Sequence, residues 1–151
     1  MNMDIFLEIA NNKILMHAAL GWCIAQILKV VVGYVKKGRI TFTLLLSSGG
    51  NPSSHSATVT ALATSTGYQY GFDSAMFAIS FVLAFIVMYD AAGVRRAAGE
   101  QAKIINRMMR ELDEGKTENM HNELKELIGH TPFQVIVGAI LGVCIPFVIR
   151  L

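Results

Sequence analysis

Two cysteines, three prolines, one tryptophan and a charged fraction of 16% in 151 residues withhold the material for several kinds of protein. Cys23 and Cys144 both fall inside apolar runs and have no metal-ligand spacing, so they read as buried, reduced packing residues rather than a disulfide framework or a zinc site. A net charge of +2 is too small to argue for nucleic acid, and the basic residues sit beside apolar runs rather than along an aromatic-studded face. No basic start leads through an apolar core to a small-residue cleavage site. The first apolar stretch is broken by Asn11, Asn12 and Lys13, and the next is expected to stay as an anchor. Nothing alternates with the period of a sheet, which removes the strand that a serine nucleophile elbow needs ahead of Ser53 or Ser54.

What is abundant is apolar surface, at 53% of residues. Residues 14–35 are long enough to cross a bilayer, which takes about 20 residues. Residues 74–89 and 131–151 are strongly apolar, the latter with Pro146 near its end. Residues 55–70 are weaker, rich in Ala, Thr and Ser, and small residues of that kind suit a helix packed on other helices. The expectation is an all-α polytopic membrane bundle of about four spans, forming a single domain over 1–151. Residues 40–46 are a candidate short or re-entrant piece. Before the last span lies an amphipathic helical insertion: Ala98, Ala102, Ile105, Met109 and Leu112 recur at helical spacing among charges, then Met120, Leu124, Leu127 and Ile128 do the same up to Gly129. The small-residue span also offers a face through which a homo-oligomer could form.

Two segments carry chemistry. In Gly49-Gly50-Asn51-Pro52-Ser53-Ser54-His55-Ser56-Ala57, a glycine turn feeds a helix for which Asn51 is the expected cap and Pro52 the first helical residue. The unpaired first-turn N–H groups and the helix dipole suit a bound anion, and His55 can exchange a proton near neutral pH. In Gly129-His130-Thr131-Pro132-Phe133-Gln134, a second helix starts at a threonine cap, with Gln134 placed to complete a capping box. If the two helix starts converge, they make an electropositive pocket at the membrane edge. Lys36, Lys37, Arg39, Arg95 and Arg96 are the cations available to it, and Asp90 is placed to pair with one of the arginines. Lys29 lies within the first span, where an ammonium is costly unless it serves a site or snorkels to the headgroups. His17, also in that span, reads as an interhelical hydrogen bonder, and His121 as a water-facing residue; neither suggests a haem or metal ligand.

These residues resemble a known family. Pro52-Ser53-Ser54-His55 is similar to the Pro-Ser-Gly-His signature of the type-2 phosphatidic acid phosphatase and vanadium haloperoxidase superfamily, and His130 with Val135, Gly138, Ala139 and Leu141-Gly142 resembles its last motif. The ordered set of the Gly49–Ala57 run, Tyr89-Asp90-Ala91-Ala92-Gly93-Val94-Arg95-Arg96 with Ala98-Gly99 and Gln101-Ala102, and Gly129-His130-Thr131-Pro132 is closer to a divergent bacterial and plant branch. The resemblance runs from about Lys29 to the C-terminus. It implies hydrolysis of a phosphate ester without metal or other cofactor, through a phosphohistidine. His130 would be the nucleophile and His55 the acid on the leaving oxygen. Ser53, with the N–H groups of Ser54 and His55, would bind phosphate oxygens, and Lys29, Lys36, Arg95 and Arg96 would balance the charge.

Three positions depart from the superfamily pattern. Gln134 stands where an Asp would orient the nucleophilic histidine, Leu124 where an Arg would be, and Lys29 is followed seven positions on by Lys36 with no Arg-Pro. Two functions follow: a membrane phosphatase acting on a lipid phosphate or diphosphate, and a catalytically weak phosphate- or headgroup-binding protein on the same scaffold, which Gln134 and Leu124 favour. With four spans, the Lys36-Lys37-Arg39 loop and the segment from Arg95 to His130 share one side, and the positive-inside rule makes that side cytoplasmic. The expectation is an integral protein of a bacterial cell membrane with its site on the cytoplasmic face.

Overall fold

The computed structural model describes residues 3–38, 49–113, 124 and 129–149, and these form six helices in chain order. They are α1 (Met3–Ala10), α2 (Lys13–Lys37), α3 (Ser54–Tyr70), α4 (Ala75–Ala92), α5 (Val94–Asp113) and α6 (Pro132–Val148). No strand occurs among the described residues. The helices α2, α3, α4 and α6 correspond to the four expected spans. Two helical stretches, Lys13–Val35 and Ala75–Arg110, are long and apolar enough to cross a bilayer, and Pro132–Val148 is a shorter apolar one. The short α1 is an addition to the expected elements. It is separated from α2 by the turn at Asn11-Asn12, and the Asn12 side chain caps α2 by accepting from the Leu15 N–H at 3.1 Å. The 40–46 piece lies outside the described residues, as does most of the second amphipathic segment.

The order of polarity is that of a protein dissolved in lipid. Large apolar side chains such as Phe81, Ile86, Ile136 and Phe147 point outward, while the buried set is mostly alanine with Ser, Thr, Asn, His and Lys. Between helices in a bilayer there is no hydrophobic drive, because lipid tails are as apolar as leucine, so close packing and hydrogen bonds hold the bundle. Helix α3 does this best. It sits at the centre, packed on α2, α4 and α6, and buries Ser56, Ala57, Thr60, Ala61, Thr64 and Ser65. Its approach to α6 is so close that a β-carbon on Gly142 would run into the Thr60 hydroxyl and the Ala57 carbonyl. The small face of α3 is thus spent inside the bundle.

His17 acts as expected, joining three helices at the end of the bundle where α3 and α6 finish. Its Nε2–H donates to the Ile149 carbonyl and its Nδ1 accepts from the Ser65 hydroxyl, both at 2.8 Å. Two expectations are corrected. Cys23 and Cys144 are free thiols, but they are exposed on the outer surface rather than buried, because the interior positions go to smaller or hydrogen-bonding residues. The buried face of α5 runs through Gly99, Ala102 and Asn106, while Ala98 and Ile105 are exposed. The cause is a hydrogen-bonding side chain: the Asn106 amide donates to the Leu124 carbonyl and accepts from the Leu124 N–H, both at 2.9 Å. That clamp ties the returning chain to α5 and turns the polar residue inward.

Candidate functional site

The two motif-bearing helix starts meet. At the first, the cap is Ser53 rather than Asn51, and Pro52 precedes the helix instead of opening it. The serine wins because its Oγ sits three residues ahead of a free N–H and accepts from Ser56 at 3.3 Å. That leaves the Ser54 and His55 N–H groups as the first-turn donors without an intrahelical acceptor, and the Ser53 hydroxyl hydrogen still available. At the second start the expected arrangement holds. Thr131 caps α6, Pro132 opens it, and Gln134 completes the capping box. The Ser53 N–H donates to the Gln134 carbonyl at 3.1 Å, and Gly138 lies against the Ser53 carbonyl with no room for a β-carbon. The helix starts therefore share a seam.

Across that seam stand His55 and His130, with ring centroids 5.9 Å apart and planes at 67°. His130 is 1% exposed. Its Nδ1 lies 3.1 Å from the Gly50 carbonyl and 3.3 Å from Gln134 Oε1. Both of those atoms only accept, so the proton is assigned to Nδ1 and the lone pair to Nε2. Nε2 has no hydrogen-bond partner among the described residues, and neither has Nδ1 of His55. Burial holds His130 below the ordinary imidazole range; the Gln134 and Gly50 hydrogen bonds oppose this, and the His55 and Lys29 charges reinforce it. A neutral imidazole with a bare, buried Nε2 is the state a nucleophile needs.

Lys29 reaches the same place from α2. It is 2% exposed, its Nζ is 3.5 Å from Ser54 Oγ, and its stem crosses Gly50 so closely that a β-carbon there would lie 2.9 Å from Cγ. Burying an ammonium costs several kcal/mol, so this lysine points to the site rather than to the headgroups. Lys36 falls two turns further along α2 in its last turn, and its side chain lies outside the described residues. Asp90 accepts from Arg95 Nε at 2.7 Å across the α4–α5 junction, and the charges of Arg95, Lys29 and Asp90 all reach the His55 ring. Arg96 contributes by position: Gly129 lies directly on the Arg95–Arg96 backbone. His130 is tied to the same junction, its N–H donating to the Ala91 carbonyl at 2.9 Å. Leu124 is half-exposed and held by its backbone to Asn106.

Sequence reasoning missed the two carbonyls, Gly50 and Ala91, that hold the ring and the backbone of His130. Only the glycine turn hinted at the first. The geometry also decides which carboxylate would best replace Gln134. Oε1 already spans from the Thr131 N–H at 3.1 Å to the His130 ring, so Glu keeps the reach that Asp loses. Gln134→Glu is expected to raise the His130 pKa, as a neighbouring opposite charge does. In wild type burial lowers the His130 pKa from the ordinary imidazole value. The acid limb of kcat/KM should therefore lie lower in wild type and move up in Gln134→Glu, with a higher plateau rate. A pH–rate profile in which the limb stays put would remove Gln134 from the role of orienting the ring.

Comparison with known proteins adds a family and a relative. The profile described as "Divergent PAP2 family" matches residues 10–145. The "Uncharacterized membrane protein YuiD" of Bacillus subtilis (strain 168) is 38% identical over 153 residues, covering 95% of this chain and 97% of that protein. No solved structure matches the chain.

Proposed function

Because the chain belongs to the Divergent PAP2 family, a phosphatase-related membrane scaffold, we propose that it is a single-domain phosphatase of the membrane that hydrolyses a lipid phosphate or diphosphate through a phosphohistidine. One observation carries this reading: the bare Nε2 of a buried His130 stands beside the His55 ring. In the first step the Nε2 lone pair attacks phosphorus and the bond to the leaving oxygen breaks, while His55 donates a proton to that oxygen. Water then attacks the phosphorus, His55 takes its proton, and the N–P bond breaks to release phosphate. Ser53, Ser54 and the first-turn N–H groups of α3 hold the equatorial oxygens, and Lys29 with Arg95 offsets their charge. Fixed donors of this kind are usually the largest catalytic contribution. Lys36, carried in the last turn of α2, and Arg96, exposed near the start of α5, are proposed as further phosphate-binding cations, and Asp90 orients Arg95.

The test is phosphate release by detergent-purified protein over a panel of diacylglycerol phosphate, polyprenyl phosphate and diphosphate, and a soluble aryl phosphate, beside a His130→Ala control. A second reading has one observation in its favour. Gln134 and the Gly50 carbonyl give His130 neutral partners only, which lends an imidazolium less support than a carboxylate would. Saturable phosphate binding without turnover on any member of the panel would make the protein a phosphate or headgroup binder.

The site is proposed to open at the cytoplasmic leaflet of a bacterial cell membrane. The last turn of α2, which carries Lys36 and Lys37, and the basic helix α5 lie at the same end of the bundle as His55 and His130, and basic segments of this kind stay inside. Lys103→Cys in a chain lacking Cys23 and Cys144 should react with a membrane-impermeant thiol reagent only after cells are opened. Labelling of intact cells would reverse the orientation.

A further inference from the structure

The opposite end of the bundle, roughly 18 Å along α2 from Lys29 at 1.5 Å per residue, holds a polar feature that the phosphoryl chemistry does not use. A shallow, open pocket of about 370 Å³ lies there, lined by Lys13, His17, Ser65, Tyr68 and Gln69. Pockets of this size take small ligands or headgroups. His17, 6% exposed, is committed to the Ile149 carbonyl and the Ser65 hydroxyl. The polar groups left to meet an occupant are the Lys13 ammonium, the Tyr68 hydroxyl and the Gln69 amide. All three donate hydrogen bonds, and no acid is among the described lining residues. The occupant that matches such a set is an oxyanion.

Two observations set the depth of the cavity. Tyr68 stands edge-on to Phe72 at 5.6 Å and to Phe147 at 5.0 Å, and Phe72 to Phe77 at 5.0 Å, an aromatic cluster at helix ends of the kind found at the headgroup level. Beside Lys13 runs α1, exposed along its length and apolar apart from Asp4 and Glu8, which lie one turn apart on one face. Its Ile5, Phe6, Leu7 and Ile9 side chains are all exposed and fit the apolar boundary just below the headgroups. We propose that this cavity binds the phosphate of an anionic phospholipid headgroup, in the leaflet opposite the His55–His130 site.

The experiment uses full-length His130→Ala protein in detergent, so the outcome is independent of whether the chain hydrolyses anything. Dioleoylphosphatidylglycerol, dioleoylphosphatidylcholine and inorganic phosphate are titrated separately, with binding read by native mass spectrometry and thermal stability. The glycerol lipid should bind several-fold more tightly than the choline lipid. Lys13→Gln should weaken it by about fivefold, the share of one lysine at an anionic membrane surface, and Lys103→Gln, at the other end, should not. Tyr68→Phe gives a second variant that keeps the aromatic packing and removes one donor, and it should weaken the same lipid. Equal affinity for the two lipids, or indifference to both Lys13→Gln and Tyr68→Phe, would overturn the site. Protection by inorganic phosphate as strong as by the glycerol lipid, with the same dependence on Lys13, would assign the site to free phosphate and overturn the headgroup.

Discussion

His130→Ala is expected to take phosphate release to the uncatalysed background on every substrate, a loss on the order of 10⁶-fold, the scale seen when a covalent nucleophile is removed. His55→Ala should behave differently. An acid that protonates the leaving oxygen contributes about 10²–10⁴-fold, and only where the leaving group needs the proton. In the first step a lipid alcohol, a poor leaving group, should lose the full factor and an aryl phosphate, whose phenolate leaves readily, about tenfold or less, read as leaving-group release in a single turnover; the second step, for which His55 is the base, should slow on both. The two histidines are thus separable by substrate even though their rings lie only 5.9 Å apart. Brief incubation of His55→Ala with radiolabelled aryl phosphate followed by alkaline denaturation should retain acid-labile label on the protein, and the His130→Ala chain should retain none. Equal losses of single-turnover leaving-group release on both substrates in His55→Ala, or label that persists in His130→Ala, would sink the assignment of roles.

The helices were legible in the sequence, and the reason is the solvent. A lipid-exposed helix must be apolar for its whole length, so α2, α4 and α6 announce themselves by composition, and α3 by its small residues, which mark a helix enclosed by others. Which face of α5 turns inward was not legible. Amphipathic periodicity assigns the apolar stripe to the interior, yet here Asn106 is buried and Ile105 exposed, because that amide clamps the Leu124 backbone. The side chains of the site were legible too: His55, His130, Lys29, Ser53, Ser54, Gln134 and Arg95 are brought to one end of the bundle. What could not be read was the main chain between them. Carbonyls have no sequence signature, so the hydrogen bonds that His130 donates to Gly50 and Ala91 emerge only once the two helix starts are seen to share a seam. The cap at Ser53 was missed for a related reason. Asn-Pro and Pro-Ser both mimic a helix start, and the choice between them depends on where the first free N–H falls.

That main-chain frame makes a glycine, not a charged residue, the other position of large expected effect. Gly129 has φ of +95° and lies against the Arg96 nitrogen and the Arg95 carbonyl carbon, atoms that cannot swing aside as a side chain can. A β-carbon there would have to push the Gly129–His130 backbone away from the α4–α5 junction. The His130 N–H would then lose the Ala91 carbonyl, and the imidazole would move relative to Arg95 and His55. Misplacing a reacting group by about 1 Å costs about 10²-fold, so Gly129→Ala should lower kcat by about that factor. Strain alone would predict a loss of stability only, and a matched control separates the two. Gly71 has a similar φ of +91°, but it lies at the opposite end, and its β-carbon would meet only the Asp73 carboxylate. Gly71→Ala should therefore cost thermal stability to a comparable degree while leaving kcat unchanged. Full activity in a folded Gly129→Ala protein would show that the contact between Gly129 and the Arg95–Arg96 backbone does not set the position of His130.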